Sequence, residues 1–146
     1  IDYISIEKHQ ELKKAHLKLY DILFTNRGSN VGNIGFVDES ISNGNIGPQL
    51  TLLRTDNTKL LPIFLFQTMT AYYFQKQINS QDSGSAMNFF GIGDTSKFKI
   101  KIPSSIIEQT KIANSLSSID KKIENVRNEL EKTKEFKKAL LQQMFV

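Results

Sequence analysis

The chain has 146 residues, 39% of them hydrophobic and 23% charged, with no Cys and no Trp. That is enough for one domain plus an appendage, and it excludes disulfides, cysteine metal sites and cysteine nucleophiles. The net charge of +4 is spread evenly: residues 1–103 carry 11 Lys+Arg against 9 Asp+Glu, and residues 104–146 carry 8 against 6. With no polybasic tail, any nucleic-acid surface must be a shaped patch.

No apolar run reaches the length of a membrane span and no signal peptide is visible. The first residue is Ile, which fits a piece of a longer protein. His9 and His16 are seven apart and could share a helical face. No Cys or third ligand accompanies them, so they read as two surface histidines and not as a metal site. Asp21–Thr25 (DILFT) and Ile34–Val37 (IGFV) read as paired strands around a turn holding Arg27, Gly28 and Gly32, and Gln49–Leu53 (QLTLL) reads as another strand. Leu61–Ile78 predicts a helix opening on a first-turn proline, Pro62, with Phe66, Met69, Tyr73 and Ile78 on one face. Ser80–Asn88 is a polar loop, and Phe98–Ile102 (FKIKI) alternates as a strand, with Phe98, Ile100 and Ile102 inward and Lys99 and Lys101 outward.

After Pro103, Gly and Pro vanish and charge becomes dense. Ser105 followed by Glu108 forms a capping box. Ile112, Leu116, Ile119, Ile123, Val126 and Leu130 then follow in steps of 4 and 3, and the frame returns to apolar residues at Leu140 and Met144. This is an a/d seam of period 3.5. About 40 helical residues at 1.5 Å each make a rod of roughly 60 Å. Such a rod either packs on its own domain or pairs with a partner helix, and its length favours the partner.

Most catalytic constellations are absent. The spacing of Gly28, Gly32 and Gly35 is not a dinucleotide fingerprint, no helix follows it, and no G-x-x-x-x-G-K-[ST] loop exists. Asp38 and Glu39 are adjacent, so on a strand they face opposite sides and make a poor acid–base pair. Nucleic-acid recognition fits what remains. Arg27 stands among Asn26, Ser29, Asn30 and Asn33; Arg can pair with guanine and Asn with adenine, while Ser, Asn and glycine amides can reach phosphates. Ser83, Ser85 and Asn88 offer a second, similar set. The alternative for both loops is plain turn chemistry, which favours the same residues. Lys97, Lys99 and Lys101 are either phosphate contacts or a solvated strand face.

Three segments together carry a resemblance. Glu108-Gln109, Ile112-Ala113, Leu116-Ser117, Ile119-Asp120, Ile123-Glu124 and Lys138 through Gln143 are similar to the conserved helix of the specificity subunits of type I restriction-modification enzymes. The stretch YDILFTNRGSNVGNIGFV resembles the Gly-Asp-Ile-Leu-x-x-Arg-x-Gly pattern of that family's target recognition domains, with Tyr20 in place of the glycine and Asn26 extra. SGSAMNFFGIGDTSKFKIKIP resembles the later Gly-Ser/Thr-x-x-x-Asn pattern, with Ser104 in place of a second proline.

The resemblance implies an α+β chain. Residues 1–103 would form a target recognition domain, a twisted sheet with short helices whose N-terminal strands would precede Ile1. Residues 104–146 would form a coiled-coil-like spacer helix. It further implies a cytoplasmic, non-catalytic subunit that reads one half of a bipartite site in double-stranded DNA. The spacer helix would pair antiparallel with a second specificity half, or with a second copy as a homodimer. Methyltransferase and restriction subunits would be the partners; S-adenosylmethionine and ATP would belong to them, and this chain would hold no cofactor. Two other readings stay open: a helical scaffold remnant without DNA binding, and a recognition segment of a fused restriction-methyltransferase chain.

Overall fold

A computed structural model describes residues 3–80 and 89–145. The chain divides into two compact units, Ile1–Thr110 and Lys111–Val146. The elements of the first unit are α1 (Ile6–Glu11), β1 (Ile22–Thr25), β2 (Ile34–Phe36), β3 (Leu50–Leu53), α2 (Pro62–Thr70), α3 (Tyr72–Ser80) and the single turn α4 (Ile92–Thr95); α5 (Ile106–Met144) begins in it and makes up the second. The fold is α+β, with a small antiparallel sheet, short helices and one long C-terminal helix.

β1 is the central strand of the three-stranded sheet, between β2 and β3. Its pairing with β2 sets Ile22 opposite Phe36 and Phe24 opposite Ile34; its pairing with β3 sets Ile22 opposite Leu53 and Thr25 opposite Leu50. Alternation fixes this register. Ile22 and Phe24 are fully buried on one face while Leu23 and Thr25 lie half-buried on the other, so a one-residue slip would expose the core pair. Leu65 and Met69 of α2 and Phe74 and Ile78 of α3 close over that face with Phe90. Phe98 sits among Phe24, Phe74 and Phe90, with ring centroids 6.0, 5.1 and 5.5 Å away. Tilted and edge-on pairs at these separations suit the ring quadrupoles.

The predicted helix over 61–78 is two helices. The Thr68 hydroxyl donates to Phe64 O, and that of Thr70 to Phe66 O and Gln67 O. Such back-bonding bends a helix. Ala71 then takes an extended conformation, ψ 150°, and the Gln75 amide covers the freed Met69 carbonyl at 2.9 Å. The break resets the helical phase: Phe74 is buried, whereas Tyr73, expected inward, is 63% exposed.

The Phe98–Ile102 stretch is not a strand. Phe98 and Ile100 do pack on the core, but Ile102 is 45% exposed. The backbone of Lys99 finds its partner in one side chain: Gln77 Nε2 donates to Lys99 O at 2.8 Å and Gln77 Oε1 accepts from Lys99 N at 2.9 Å. An amide placed this way imitates a neighbouring strand for a single residue.

His9 and His16 are not surface histidines. Both are half-buried, with rings stacked 4.1 Å apart. His9 Nδ1 bonds the Asn45 side-chain oxygen, and His16 Nε2 bonds His9 O. A backbone bridge between His16 and Asn45 holds the segment in place. The pair is a structural clasp, and no group of three metal-ligating residues exists among the described residues.

Candidate nucleic-acid interface

The loop joining β1 to β2 is built from its base. Thr25 N donates to Asn33 O and Gly32 N to Thr25 O, each at 2.9 Å. Gly28 and Gly32 both have φ of +91°, a region where a Cβ is strained. A side chain at Gly32 would also meet Ile78 Cγ2 at 3.1 Å, and Gln75 Nε2 donates to Gly32 O at 3.3 Å. The loop base is thus bolted to α3. Nothing lies within 4 Å of a Cβ built at Gly28, so at the tip glycine serves the turn and not close packing.

Asn26 is half-buried and points back into the fold. Its Nδ2 donates to Thr51 Oγ1 at 2.9 Å, its N–H to Gln49 O at 2.8 Å, and its carbonyl accepts from Phe90 N at 2.8 Å. Its Oδ1 is buried and has no hydrogen-bond partner among the described residues. Arg27 is exposed but not free to wave: Nε and Nη2 donate to Pro48 O at 3.2 and 2.6 Å. Gripping one carbonyl with two of its nitrogens fixes the plane of the guanidinium. Ser29, Asn30 and Asn33 are exposed. Of the four residues expected at the tip, Arg27, Ser29 and Asn30 therefore face solvent and Asn26 supports them. Ser83, Ser85 and Asn88, the second expected set, lie outside the described residues.

Phe89 was not anticipated. It forms an isolated antiparallel bridge with Arg27 and is 60% exposed. Phe90 beside it is buried, its ring 5.8 Å from that of Phe24. The Phe-Phe doublet was the available signal, because on an extended segment neighbours point to opposite sides. Lys97, Lys99 and Lys101 are exposed, and Lys97 pairs with Asp94 at 2.8 Å. That hydrogen bond and charge lower the Asp94 pKa.

Two polar groups in the resemblance motifs are structural. Asp21, 1% exposed, receives Arg54 Nε at 2.7 Å and Nη2 at 2.6 Å and also accepts from Lys18 N. These bonds raise the Arg54 pKa. Gln109, fully buried, donates to Lys59 O and Pro103 O and accepts from Leu61 N, all at 2.9 Å. It ties the first turn of α5 to the segment leading into α2.

In the second unit the heptad seam is uncovered. Leu116, Ile119, Ile123, Val126, Leu130, Leu140 and Met144 are 40–71% exposed, and Ile112, at its start, is half-buried. Phe136, one step off the frame, is 64% exposed. No helix among the described residues is long and apolar enough to cross a membrane.

No curated protein sequence matches the chain. Residues 2–135 match the family model for the type I restriction modification DNA specificity domain, a match that runs through the sheet, the loop and most of α5. The chain belongs to the type I restriction modification DNA specificity domain family.

Proposed function

We propose that the chain is a non-catalytic, cytoplasmic DNA reader of a type I restriction-modification system, contacting one half of a bipartite site through the β1–β2 loop. The family match over residues 2–135 carries this reading, because it includes both the loop and the helix. The loop supports it: a rigid base presents Arg27, whose Pro48 anchor orders the guanidinium before binding, with Ser29 and Asn30 alongside. An ordered donor loses less entropy on binding than a mobile one. Ser83, Ser85 and Asn88 remain a second proposed set.

The reader would span residues 1–103 and the spacer helix 104–146. Pairing α5 antiparallel with a second specificity half, or with another copy of this chain, would cover the seam and set the distance between half-sites. At 39 residues α5 is roughly 58 Å long, more than one turn of duplex at about 3.4 Å per base pair. The methyltransferase subunit, carrying S-adenosylmethionine, and the ATP-dependent restriction subunit would supply the chemistry.

Mapping modified adenines in the source genome gives the site and its spacing. A mobility-shift assay on that site, with and without the methyltransferase subunit, then tests the reading. Selective retention of the mapped duplex is expected. Equal binding to scrambled duplexes in both cases overturns it in favour of a scaffold that acts only through its helix, a reading the uncovered seam keeps in view. Catalytic motifs encoded upstream in the same reading frame would instead identify a fused chain.

A further inference from the structure

We infer that Phe89 is a second base-reading residue, which contacts the 5-methyl group of a thymine beside the base facing Arg27. The inference rests on the proposed DNA-reading role of the loop and names the class of base edge it takes.

Three observations carry it. First, Arg27 and Phe89 are directly opposed in an antiparallel bridge, so their side chains leave the backbone on the same face with Cβ atoms roughly 5 Å apart. That separation is about one and a half steps between neighbouring base pairs, at about 3.4 Å per step, so two long side chains can reach adjacent pairs. Second, the bridge is anchored from behind: Phe90 N donates to Asn26 O at 2.8 Å, and the Phe90 ring is buried against Phe24 and Phe98. With Phe90 fixed inward, Phe89 is held outward. Third, its exposure is unusual where it stands. Among the described residues of the first unit, every other phenylalanine is buried or half-buried, whereas Phe89 is 60% exposed. An exposed apolar ring on the residue directly opposite an Arg with an ordered guanidinium matches a major-groove step in which a guanine presents two acceptors and the neighbouring thymine a methyl group.

The test uses the complex of this chain with its methyltransferase subunit and the duplex found by adenine mapping. Each thymine of the half-site is replaced in turn by uracil, which removes only the methyl group. The wild-type complex is expected to lose affinity about 5-fold at one uracil position. Phe89→Ala should bind the unmodified duplex about 5-fold more weakly and show no further loss at that uracil, while Phe89→Leu should keep part of the discrimination. Indifference of the wild type to every uracil, or the same uracil penalty in Phe89→Ala, overturns the role of Phe89 and leaves DNA reading by Arg27 standing. Absence of selective binding by the wild type overturns the DNA-reading role itself, and Phe89's with it. Circular dichroism of both variants confirms that the fold is retained, as expected for an exposed ring.

Discussion

Arg27 carries a sharp expectation at the level of single residues. If it faces a guanine, Arg27→Ala should weaken binding by roughly 1–3 kcal/mol and relax preference at one base position only. Arg27→Lys should not restore that preference, because a point charge lacks the planar fork. A uniform loss over all sequences would mean a phosphate contact. Gln109 is a case of the opposite kind, a motif residue whose work is internal. Gln109→Ala removes three hydrogen bonds and strands Lys59 O, Pro103 O and Leu61 N. At about 1–3 kcal/mol for an unsatisfied buried group, with some relaxation, the expected loss is about 2–4 kcal/mol in urea denaturation. Tyr20 has a positive φ of 71°, where the family pattern has glycine. A left-handed L-residue costs roughly 1–2 kcal/mol. Against that, the ring sits 5.9 Å from Phe36, a pair worth about 0.5–1.5 kcal/mol, and glycine adds chain entropy of about 0.5–1 kcal/mol. These terms nearly cancel, so Tyr20→Gly should change stability by less than about 1 kcal/mol. Tyr20→Val keeps the strain and loses the ring pair, and should destabilise by roughly 0.5–1.5 kcal/mol.

The elements differ in what holds them. β1 to β3 follow from alternation and a glycine turn, and their observed limits fall within one residue of the sequence reading. The break at Ala71 was not legible there, because Ala is a strong helix former. It depends on threonine hydroxyls and on the Gln75 amide, groups whose bonds exist only once the neighbours are in place. The first turn of α5 is tied to the first unit by Gln109, whereas the exposed seam farther along has beside it only short-range pairs such as Glu131–Lys134, worth a few tenths of a kcal/mol. Its seam therefore points to a partner. Ile123→Asp, in mid-seam, should abolish pairing in light scattering at concentrations where the wild type pairs. Lys121→Asp, on the opposite face of the helix, should leave it unchanged. A wild type that stays monomeric at high concentration would argue against self-pairing.

Across the whole molecule the charge is weak and spread, which limits how much affinity counterion release can supply. Lys97 is engaged with Asp94, and Lys99 and Lys101 stand on a segment that is not a strand. Replacing all three with Ala should change the slope of log affinity against log salt by less than about 1, whereas three true phosphate contacts would change it by about 3. The sequence by itself determined the α+β class, β1 to β3, the loop, the seam and the family, because all of these are written in local periodicity, turn residues and short motifs. Only the tertiary structure decided that Asn26 turns inward to Thr51, that Arg27 is gripped by Pro48, that the two histidines clasp each other, and that Phe89 stands opposite Arg27. Each of these joins groups far apart in the chain, or turns a side chain by a pairing that no local pattern encodes.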